Sequence, residues 1–594
     1  MNNKCIILIL IFSWIVNPCA HAQSKLVSLD QKGKLAYHPY TIQKDILPDF
    51  SHCGYMGGGT AIPDVKVVMT ITPSANNNND APMIQAAIDK VARQKISKNG
   101  FRGCILLKRG TYRIASPLRI TAGGIVLRGE GNDKESGTVL IATSPQTYSA
   151  IEVGDKKKRR LAREQFPITD EYVPSGSRII HVTEAGKYFH TGDDIVIRRP
   201  STANWIHTIG MDSIAPRPQK GETTLEAFQR FQKEGERTNM NGTVQWKAGS
   251  KDLLFERKIV SIKGDEITLD IPLTNAMQKE FGGGTICRYT FNERIAQCGI
   301  ENIYGTTLYD EQVKAIHNGM KSKENPTGEY YSDEKHANIF VNFLAVENAW
   351  VKNVSVEHFD CCIQTSTGSK FITAQDLSAT NPVSVITGGR RYAYSISGGQ
   401  MCLFQRCYAS HHRHQFVLGA CVAGPNVFVD GEGDMSFASS EPHQRWSAGC
   451  LWDNITLRGP AASLIAGNRG NMGSGHGWAG AQMIFWNCTA PLILVMEPPT
   501  AQNFAIGLQA DKTINNEQAL KNRKSTFNSI SKASMINMDF KNKPIEGNGW
   551  IESDTTTVLP LSLYYHQLRD RLGATALKNV MTDVQLRKFF PEYP

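Results

Sequence analysis

A short pattern of apolar and polar positions recurs along the second half of the chain. Each unit has an apolar residue, a variable residue, a polar residue, a second apolar residue and, two places later, a small or apolar residue. The units are IENIYG, VKNVSV, AQDLSA, FQRCYA, FVDGEG, WDNITL and FWNCTA, and their polar third positions are Asn302, Asn353, Asp376, Arg406, Asp430, Asn454 and Asn487.

The spacing of these units predicts a parallel β-helix. Successive polar positions are 51, 23, 30, 24, 24 and 33 residues apart. A minimum near 23 suits one coil of such a helix, with loops inserted into the longer coils. Asn and Asp tolerate left-handed backbone geometry, so we expect the polar position to be the corner of each coil. The next residue and the one two further on should then point inward along a short strand.

The amino-terminal part predicts a helix followed by short strands. In residues 80–94 the apolar positions fall on one face of an amphipathic helix, and they are Met83, Ile84, Ala87, Ile88 and Val91. The next segment, 103–131, is a series of short β runs punctuated by glycine. Its motifs are Gly103 to Leu107, Gly110-Thr111-Tyr112, and Leu127-Arg128-Gly129-Glu130-Gly131.

With this helix and these motifs, most of residues 60–510 resembles the pectate lyase-like β-helix superfamily. The resemblance implies an all-β fold, a right-handed parallel β-helix opened by a capping helix. That superfamily includes polysaccharide lyases, glycoside hydrolases, epimerases and phage tailspikes, so the resemblance does not choose an activity.

The positions where the repeat is interrupted divide the chain into further segments. Between 176 and 290 the repeat is replaced by hairpin-like runs with Gly-Asp turns, which predicts an inserted β-rich subdomain. Beyond 510 the sequence becomes Lys/Asn-rich and then helical, and we expect this tail to cap the last coil. The predicted divisions are a signal peptide at 1–22, first coils at 23–175, the insertion at 176–290, the main β-helix at 291–510 and the tail at 511–594.

The first residues predict export. Lys4 precedes an apolar stretch from Cys5 to Val16, and Ala20-His21-Ala22 has small residues where a signal peptidase needs them. The apolar stretch is too short for a membrane span, and no later segment is long and apolar enough to cross a bilayer. We therefore expect a periplasmic or secreted protein with no membrane span.

The net charge indicates which kind of partner the protein binds. The net charge of +10 suits an anionic partner, which outside the cytoplasm is an acidic polysaccharide or oligosaccharide rather than nucleic acid. The basic run at 154–163 is also compatible with an ordinary solvated surface.

The cysteines show no paired spacing typical of a zinc site, and Cys53 with Cys104 is a candidate disulfide. The oligomeric state stays open.

The candidate chemistry lies in the Gly-rich loops of residues 380–505. The run YASHHRHQF places His411, His412, Arg413 and His414 side by side, and a strand continuing through it would put His412 and His414 on one face. The predicted catalytic residues are His412, Arg413, His414, His443 and Arg445. The predicted substrate-binding residues are Arg390, Arg391, Tyr392, Trp446, Asn468, Arg469, His476 and Trp478.

These residue types suit β-elimination at a uronic acid, which needs a base, an acid and cations that stabilise an enolate. Glycoside hydrolysis is the alternative and needs two carboxylic acids, for which VDGEGD and Glu441 offer candidates. Glu432 and Asp434 are also candidate calcium ligands. A non-catalytic glycan-binding β-helix, with the histidines on a solvated face, is the third hypothesis. A transition-metal site made by adjacent histidines is disfavoured because neighbours on a strand point in opposite directions.

Overall fold

The computed structural model describes residues 22–75, 79–218, 221–223, 225–227, 229–230, 243–509 and 517–591. The predicted signal peptide at 1–22 lies outside the described residues, except for Ala22. Two long sheets, in which all strands pair in parallel, wind around a common core, as the repeat predicted. The fold is a right-handed parallel β-helix, the hand that parallel β crossovers adopt almost without exception.

The longer sheet, sheet 1, holds the repeat units. Its central path consists of Val67–Ile71, Gly103–Leu107, Ile125–Gly131, Ile295–Thr307, Val346–Glu357, Lys370–Thr380, Leu403–Ser410, Ala423–Val429, Ser447–Asp453, Gly480–Cys488, Phe504–Leu508 and Trp550–Glu552. Beside this path lie Gly110–Ile114, Thr138–Ala142, Glu432–Asp434 and Thr456–Leu457.

The shorter sheet, sheet 2, forms the other long wall. Its strands are Leu118–Ile120, Ser149–Gly154, Ile339–Leu344, Cys361–Thr365, Tyr392–Ile396, His414–Ala420, Ser439–Gln444, Ser463–Ala466, Leu492–Val495 and Ile545–Glu546. Short two-stranded pairings add Ala22–Gln23 with Val558–Leu559, Val27–Leu29 with Leu35–Tyr37, Tyr172–Val173 with Met277–Gln278, and Lys314–Ile316 with Glu329–Tyr331.

The predicted corners are confirmed. All seven polar positions have left-handed backbone, with φ between 48° and 57°, and the strand register stacks them on successive coils. Asn353 donates from Nδ2 to Oδ1 of Asn302, 2.9 Å away, so the corners also form hydrogen bonds along the stack. The residues after each corner point inward as predicted; Val354 and Val356, for example, are buried.

Aromatic side chains fill the middle of the coils. Phe404, Phe428, Trp452 and Phe485 lie on four successive strands of sheet 1, with neighbouring ring centroids 5.2–5.6 Å apart. Offset and edge contacts at this spacing are favourable for aromatic rings. This continuous core holds the strand ends, and therefore the loops attached to them, in fixed positions.

The amino-terminal capping helix is confirmed as Ala81–Ala92. It buries Ala81, Ile84, Ala87, Ile88 and Val91 against the first coils, while Met83 is partly buried against the same core. Further helices among the described residues are Ala185–Tyr188, Ala203–Thr208, Glu517–Ser534, Leu563–Leu572, Ala574–Val580 and Asp583–Phe589, and 3₁₀ turns include Tyr55–Gly57, Lys279–Phe281 and Asn318–Met320.

The inserted subdomain is an antiparallel sheet, as the hairpin pattern predicted. Its main strands are Ile179–His181, Asp194–Arg199, Leu253–Lys263, Glu266–Leu269 and Thr285–Thr290. The sheet also takes in Arg160–Leu161 and Phe166–Pro167, so it begins earlier than the predicted boundary at 176. The apolar core of this subdomain continues onto outward-facing residues of the β-helix such as Trp446, Trp478 and Leu494.

The last three helices, Leu563–Leu572, Ala574–Val580 and Asp583–Phe589, lie beside the β-helix rather than at its end. They pack with the amino-terminal strands along the outer face of sheet 1, covering residues from Leu403 to Ile506. Polar residues at and beside the corners hold them there: Asp453, next to the corner Asn454, accepts hydrogen bonds from the Ser562 hydroxyl and the Tyr564 amide. The apolar side chains on the outer face of sheet 1 would otherwise be exposed to solvent. The amphipathic helices of the tail bury them.

Two further expectations concern the whole chain. Cys53 and Cys104 are both free and buried, so the candidate disulfide is wrong. Across the described residues, no helix is both long and apolar enough to cross a membrane.

Candidate functional site

A cavity of 620 Å³ opens on the outer face of sheet 2. Its floor is formed by the adjacent strands Tyr392–Ile396, His414–Ala420 and Ser439–Gln444, on which Ser395, Val417 and Glu441 are register partners. Its walls are the loop at 388–389, the loop at 469–476 and Arg217 from the inserted subdomain. The cavity therefore lies among the long loops from which the sequence predicted function.

The inserted subdomain fixes the wall formed by the 469–476 loop. Arg217 Nε donates to the carbonyl of Asn471 at 3.0 Å, and Asn471 Nδ2 donates to the carbonyl of Pro216 at 3.2 Å. Within the loop, Gly473 has φ of +57°, and a β-carbon there would fall 1.9 Å from the His476 ring. Glycine is required at this position because His476 occupies the space that any side chain would need.

Glu441 is the buried centre of the site. Its Oε1 lies 2.6 Å from Arg469 Nη1 and 2.8 Å from His443 Nδ1, and the Ser439 hydroxyl donates to Oε2. Burial by itself raises the pKa of a carboxyl group, but Arg469 and the adjacent imidazoles hold the pKa of Glu441 well below its usual range. Glu441 is therefore an ionised carboxylate with no exposed surface.

This carboxylate fixes the tautomer of His443. Nδ1 lies close to both Glu441 Oε1 and Arg469 Nη1, and it cannot donate to one and accept from the other at once. Because Glu441 is ionised and Arg469 also donates to the carbonyl of His443, Nδ1 carries the hydrogen and donates it to Glu441. Nε2 is then the basic nitrogen, 3.2 Å from the Tyr392 hydroxyl.

His443 is neutral at neutral pH. Burial first, and the Arg469 guanidinium second, lower the pKa of His443 below its usual range. The same two causes lower the pKa of His476 to about 2, and the ring of His476 lies 4.8 Å from that of His443. Tyr392, His443 and Glu441 thus form a chain from the cavity to a buried charge, the arrangement that general acid–base catalysis uses.

Two donors of the site have no partner among the described residues. They are Nη1 of Arg413 and Nε of Arg469, both of them buried atoms. A buried donor without a partner costs about 1–3 kcal/mol, so a ligand that accepts from these atoms gains affinity. Among the described residues that line the cavity, three are arginines and none is Asp or Glu.

His414 lies beneath the cavity rather than in its wall. Its ring packs edge-on against Tyr392 and His443 at 4.8 and 4.9 Å, and it is fully buried. Nδ1 donates to the carbonyl of Ser439, which leaves Nε2 without a partner among the described residues. His414 therefore supports the orientation of the residues above it, which differs from the predicted catalytic role.

His414, Glu441 and His443 offer three ligand atoms within 4.8 Å of one another. A cation placed among them would meet the Arg469 guanidinium, which is 2.6 Å from Glu441 and holds the position of a counter-ion. The Nδ1 atoms of both histidines also carry hydrogens in this arrangement, so neither can act as a ligand through Nδ1. The geometry fits an acid–base site better than a metal centre.

The prediction that His412 shares a face with His414 is wrong. The strand ends at Ser410, His411 turns the chain with φ of 61°, and the next strand starts at His414. His412 is fully buried in this corner and donates from Nδ1 to the carbonyl of Ser410. The histidine run thus spans the corner between the two sheets, and only its Arg413 lines the cavity.

Three predicted arginines serve the fold outside the cavity. Arg391 is buried and donates to the carbonyls of Ser384 and His411, which holds the same corner together. Arg390 pairs with Glu334 at 2.7 Å on the surface. Arg445 binds the Ser474 hydroxyl behind the 469–476 loop. None of the three is among the described residues that line the cavity, and their roles in catalysis and binding stay predictions.

Three of the predicted substrate-binding residues are buried and make contacts within the fold. Trp446 has no exposed surface, donates from Nε1 to Asn275 and packs edge-on against Trp205 at 4.7 Å. Trp478 is 4% exposed and donates to the carbonyl of Ile209 in the insertion. Asn468 accepts from the amide of Gly470 and shapes the loop. The inserted subdomain covers these side chains, which the sequence could not reveal.

Glu432 and Asp434, the predicted calcium ligands, pair with an arginine in this structure. Arg458 Nη1 lies 3.1 Å from a Glu432 oxygen and 3.4 Å from an Asp434 oxygen, so a guanidinium already pairs with both carboxylates. Among the described residues, neither belongs to a group of three metal-ligating side chains.

Of the predicted residues, the structure brings together Tyr392, Arg413, His443, Arg469 and His476 around the cavity. Sequence reasoning missed Arg217 and did not assign Glu441 to the mechanism. The alternation Glu441-x-His443 within one strand is a signal for a shared face, because residues two apart on a strand point the same way. Arg217 had no such signal, since it reaches the site from a separate subdomain.

The chain was also compared with known proteins. No protein-family model matches it, and no curated protein matches its sequence. Solved structures with similar coordinates include the tailspike protein gp49 of Pseudomonas phage LKA1, at 13% identity and a TM-score of 0.36, which covers 72% of this chain and 62% of that one. The tailspike of Escherichia coli bacteriophage HK620 in complex with pentasaccharide matches at 10% identity and a TM-score of 0.33, over 74% and 54% of the two chains.

An exopolygalacturonase from Thermotoga maritima matches at 10% identity and a TM-score of 0.29, over 75% of this chain and 76% of that one. The present chain spans less than two thirds of the length of either tailspike. With TM-scores below 0.5, these similarities support no conclusion about the activity of this chain.

Proposed function

We propose that this protein is an exported polysaccharide lyase that cleaves a uronate-containing polysaccharide by β-elimination. The observation that carries the proposal is the cavity itself, where an arginine-rich lining surrounds a histidine base oriented by a buried carboxylate. Export rests on the predicted signal peptide, and an acidic substrate suits both the net charge of +10 and the arginines of the cavity.

In the proposed reaction, Nε2 of His443 removes the proton from the carbon next to the uronate carboxylate. The electron pair of that C–H bond forms a double bond to the β carbon, whose bond to the glycosidic oxygen breaks. Tyr392 donates its hydroxyl proton to the departing oxygen. The proton on His443 then returns to Tyr392 across the 3.2 Å that separates Nε2 from the hydroxyl oxygen, which restores both groups.

The arginines stabilise the charge that develops in this step. Removing the α proton moves negative charge onto the carboxylate, and donors aimed at that position lower the barrier. Arg413 Nη1 and Arg469 Nε are buried and have no partner among the described residues, so both are ready to bind an anionic group. Their positions are fixed before substrate arrives, which avoids reorganisation during the reaction.

The geometry favours elimination over hydrolysis at this cavity. A glycoside hydrolase needs two carboxyl groups flanking the bond, one of them protonated at the start. Glu441 is the carboxylate in contact with the site, and it is fully buried, ionised and bound by Arg469 and His443. It cannot reach a glycosidic bond in the cavity.

The test is a digestion of a panel of uronate polysaccharides, with two products measured together. Elimination creates a conjugated double bond that absorbs ultraviolet light and also yields new reducing ends. Hydrolysis yields reducing ends without that absorbance, and a glycan-binding protein without catalysis yields neither. We expect absorbance and reducing ends to rise together.

The matched variants are Tyr392→Phe and Tyr408→Phe, each of which removes one hydroxyl. Tyr392→Phe should lower the rate by about 10²–10⁴-fold, the contribution of a positioned acid or base. Tyr408 is 36% exposed on sheet 1, away from the cavity, and its variant should keep the rate of the unmodified protein. Equal rates in the two variants would remove Tyr392 from the mechanism.

A further inference from the structure

A second and larger cavity, of 720 Å³, lies further along the β-helix toward its carboxyl-terminal end. It opens at the turn 496–503, between the strands Leu492–Val495 and Phe504–Leu508. The amino-terminal segment at 40–45, residues 276–278 of the inserted subdomain and residues 548–550 complete its walls. Four separate parts of the chain therefore converge on a space that the proposed elimination does not use.

The side chains that line this cavity differ in charge from those that line the first cavity. Among the described residues that line it, none is Lys, Arg or His, although the protein has a net charge of +10. Carboxamides dominate the lining instead, and they are Gln43, Gln278, Gln482, Gln502 and Asn548. Such a lining offers no counter-charge to an anionic sugar but many donors and acceptors to hydroxyl groups.

Two of these carboxamides are oriented by the protein itself. Gln502 Oε1 accepts from the amide of Asn503 at 2.9 Å and from the amide of Trp550 at 3.3 Å. Asn548 Oδ1 accepts from the amide of Glu497 at 3.2 Å. Backbone amides can only donate, so these contacts assign oxygen and nitrogen in both side chains. The NH₂ groups have no hydrogen-bond partner among the described residues and remain available to a ligand.

Rigid groups surround these donors. Asp45 is buried and accepts from the Tyr172 hydroxyl and the Ser175 amide, both at 2.7 Å, which fixes the amino-terminal wall. Tyr40 donates to Gln482 Oε1 at 3.1 Å. The Trp550 indole is half-buried, with its Nε1 held by Glu552 at 2.7 Å, so its position at the cavity is fixed.

We propose that this cavity is a second carbohydrate site, which binds a neutral sugar unit. Preset NH₂ donors at Gln502 and Asn548, the exposed carboxylate of Glu497 as an acceptor and the Trp550 ring as an apolar surface match the hydroxyl groups and the C–H face of an uncharged pyranose. The site is independent of the elimination chemistry and stands whether or not that proposal holds.

The inserted subdomain lies between the two cavities. Trp205 Nε1 donates to the Thr500 hydroxyl of the second cavity at 3.1 Å, while Trp246, 6.4 Å from Trp205, packs beside the 469–476 loop of the first. The inserted subdomain therefore contacts residues of both cavities.

The experiment is calorimetric titration of the full protein with neutral hexasaccharides of glucose, mannose, galactose and xylose. The test variants are Asn548→Asp and Gln502→Glu, which keep the oxygen that the backbone amides need but replace the NH₂ donor with a charged carboxylate oxygen. Gln146→Glu, at an exposed turn, makes the same chemical change elsewhere and is the matched control. We expect at least one sugar to bind, and each test variant to weaken binding about 3–10-fold.

Gln146→Glu should leave this affinity unchanged, and so should Tyr392→Phe, which separates this site from the elimination site. The proposal is overturned if no neutral hexasaccharide binds. It is equally overturned if Asn548→Asp and Gln502→Glu bind as tightly as the unmodified protein, or if Tyr392→Phe abolishes binding. Thermal unfolding of each variant shows whether it is folded at the titration temperature.

Discussion

Replacing Glu441 by glutamine tests the role of the buried charge with almost no change of shape. The carboxylate makes three contacts, with Arg469 at 2.6 Å, His443 at 2.8 Å and the Ser439 hydroxyl. Glutamine keeps one oxygen for Arg469 but replaces the other with an NH₂ group. The buried Arg469 guanidinium loses its counter-charge, and Nδ1 of His443 is no longer compelled to carry the hydrogen.

Two magnitudes follow from these contacts. A hydrogen bond to a charged group contributes about 1.5–3 kcal/mol against about 1 kcal/mol for a neutral one, so losing charge from two such bonds lowers the free energy of unfolding by about 1–4 kcal/mol. For activity, the equivalent carboxylate-to-amide change beside the histidine of a serine protease costs about 10⁴-fold through the wrong tautomer. We expect kcat/KM of Glu441→Gln to fall by about 10²–10⁴-fold.

The assay measures unsaturated product from a uronate polysaccharide together with denaturant unfolding of the same preparation. The control is Glu432→Gln, which makes the same chemical change at an exposed carboxylate paired with Arg458. It should leave activity unchanged and unfolding within about 0.5 kcal/mol. A folded Glu441→Gln protein with activity within about threefold of the unmodified protein would refute the proposed relay through Glu441 and His443.

Three further predictions concern acidity, affinity and the role of a buried tryptophan. The free energy of unfolding should fall as pH drops below about 6.5, because burial lowers the pKa of His412 to about 3 and of His476 to about 2, and the unfolded chain then binds more protons. Each such histidine contributes about 1.4 kcal/mol per pH unit between pH 6.5 and its folded pKa, measurable by denaturant unfolding at pH 7 and 5. Arg413→Ala should raise KM for an acidic glycan and flatten its dependence on salt, whereas an unchanged KM would remove Arg413 from binding. Trp446→Ala should lower the unfolding free energy by about 3–5 kcal/mol, whereas loss of substrate affinity in a folded protein of unchanged stability would support its predicted role in substrate binding.

The coils could be predicted because each depends on local chemistry. A corner needs a residue that accepts left-handed backbone, and Asn302, Asn353 and Asp376 show that requirement in the sequence as well as in φ. Even Arg406 takes the same conformation, since its neighbours fix the register of the strand. Once the corners are known, the inward residues follow from the alternation of a strand.

The site was harder to predict because distant parts of the chain determine it. His412 and His414 are two residues apart, but a corner at His411 separates them, so the shared face never forms. Trp446 and Trp478 lie in loops that are typical of exposed aromatic residues, yet the inserted subdomain covers both. The packing of the inserted subdomain against the β-helix determines which side chains remain exposed to solvent. The periodic pattern of the sequence does not predict this packing.

The most direct test of the central proposal is digestion of a uronate polysaccharide in heavy-oxygen water, with the products followed by mass spectrometry at early times. Elimination forms no bond to water. We therefore predict unsaturated ends without heavy oxygen, and their loss in the Tyr392→Phe protein. Saturated products that carry heavy oxygen at the newly formed ends would contradict the proposal and identify hydrolysis.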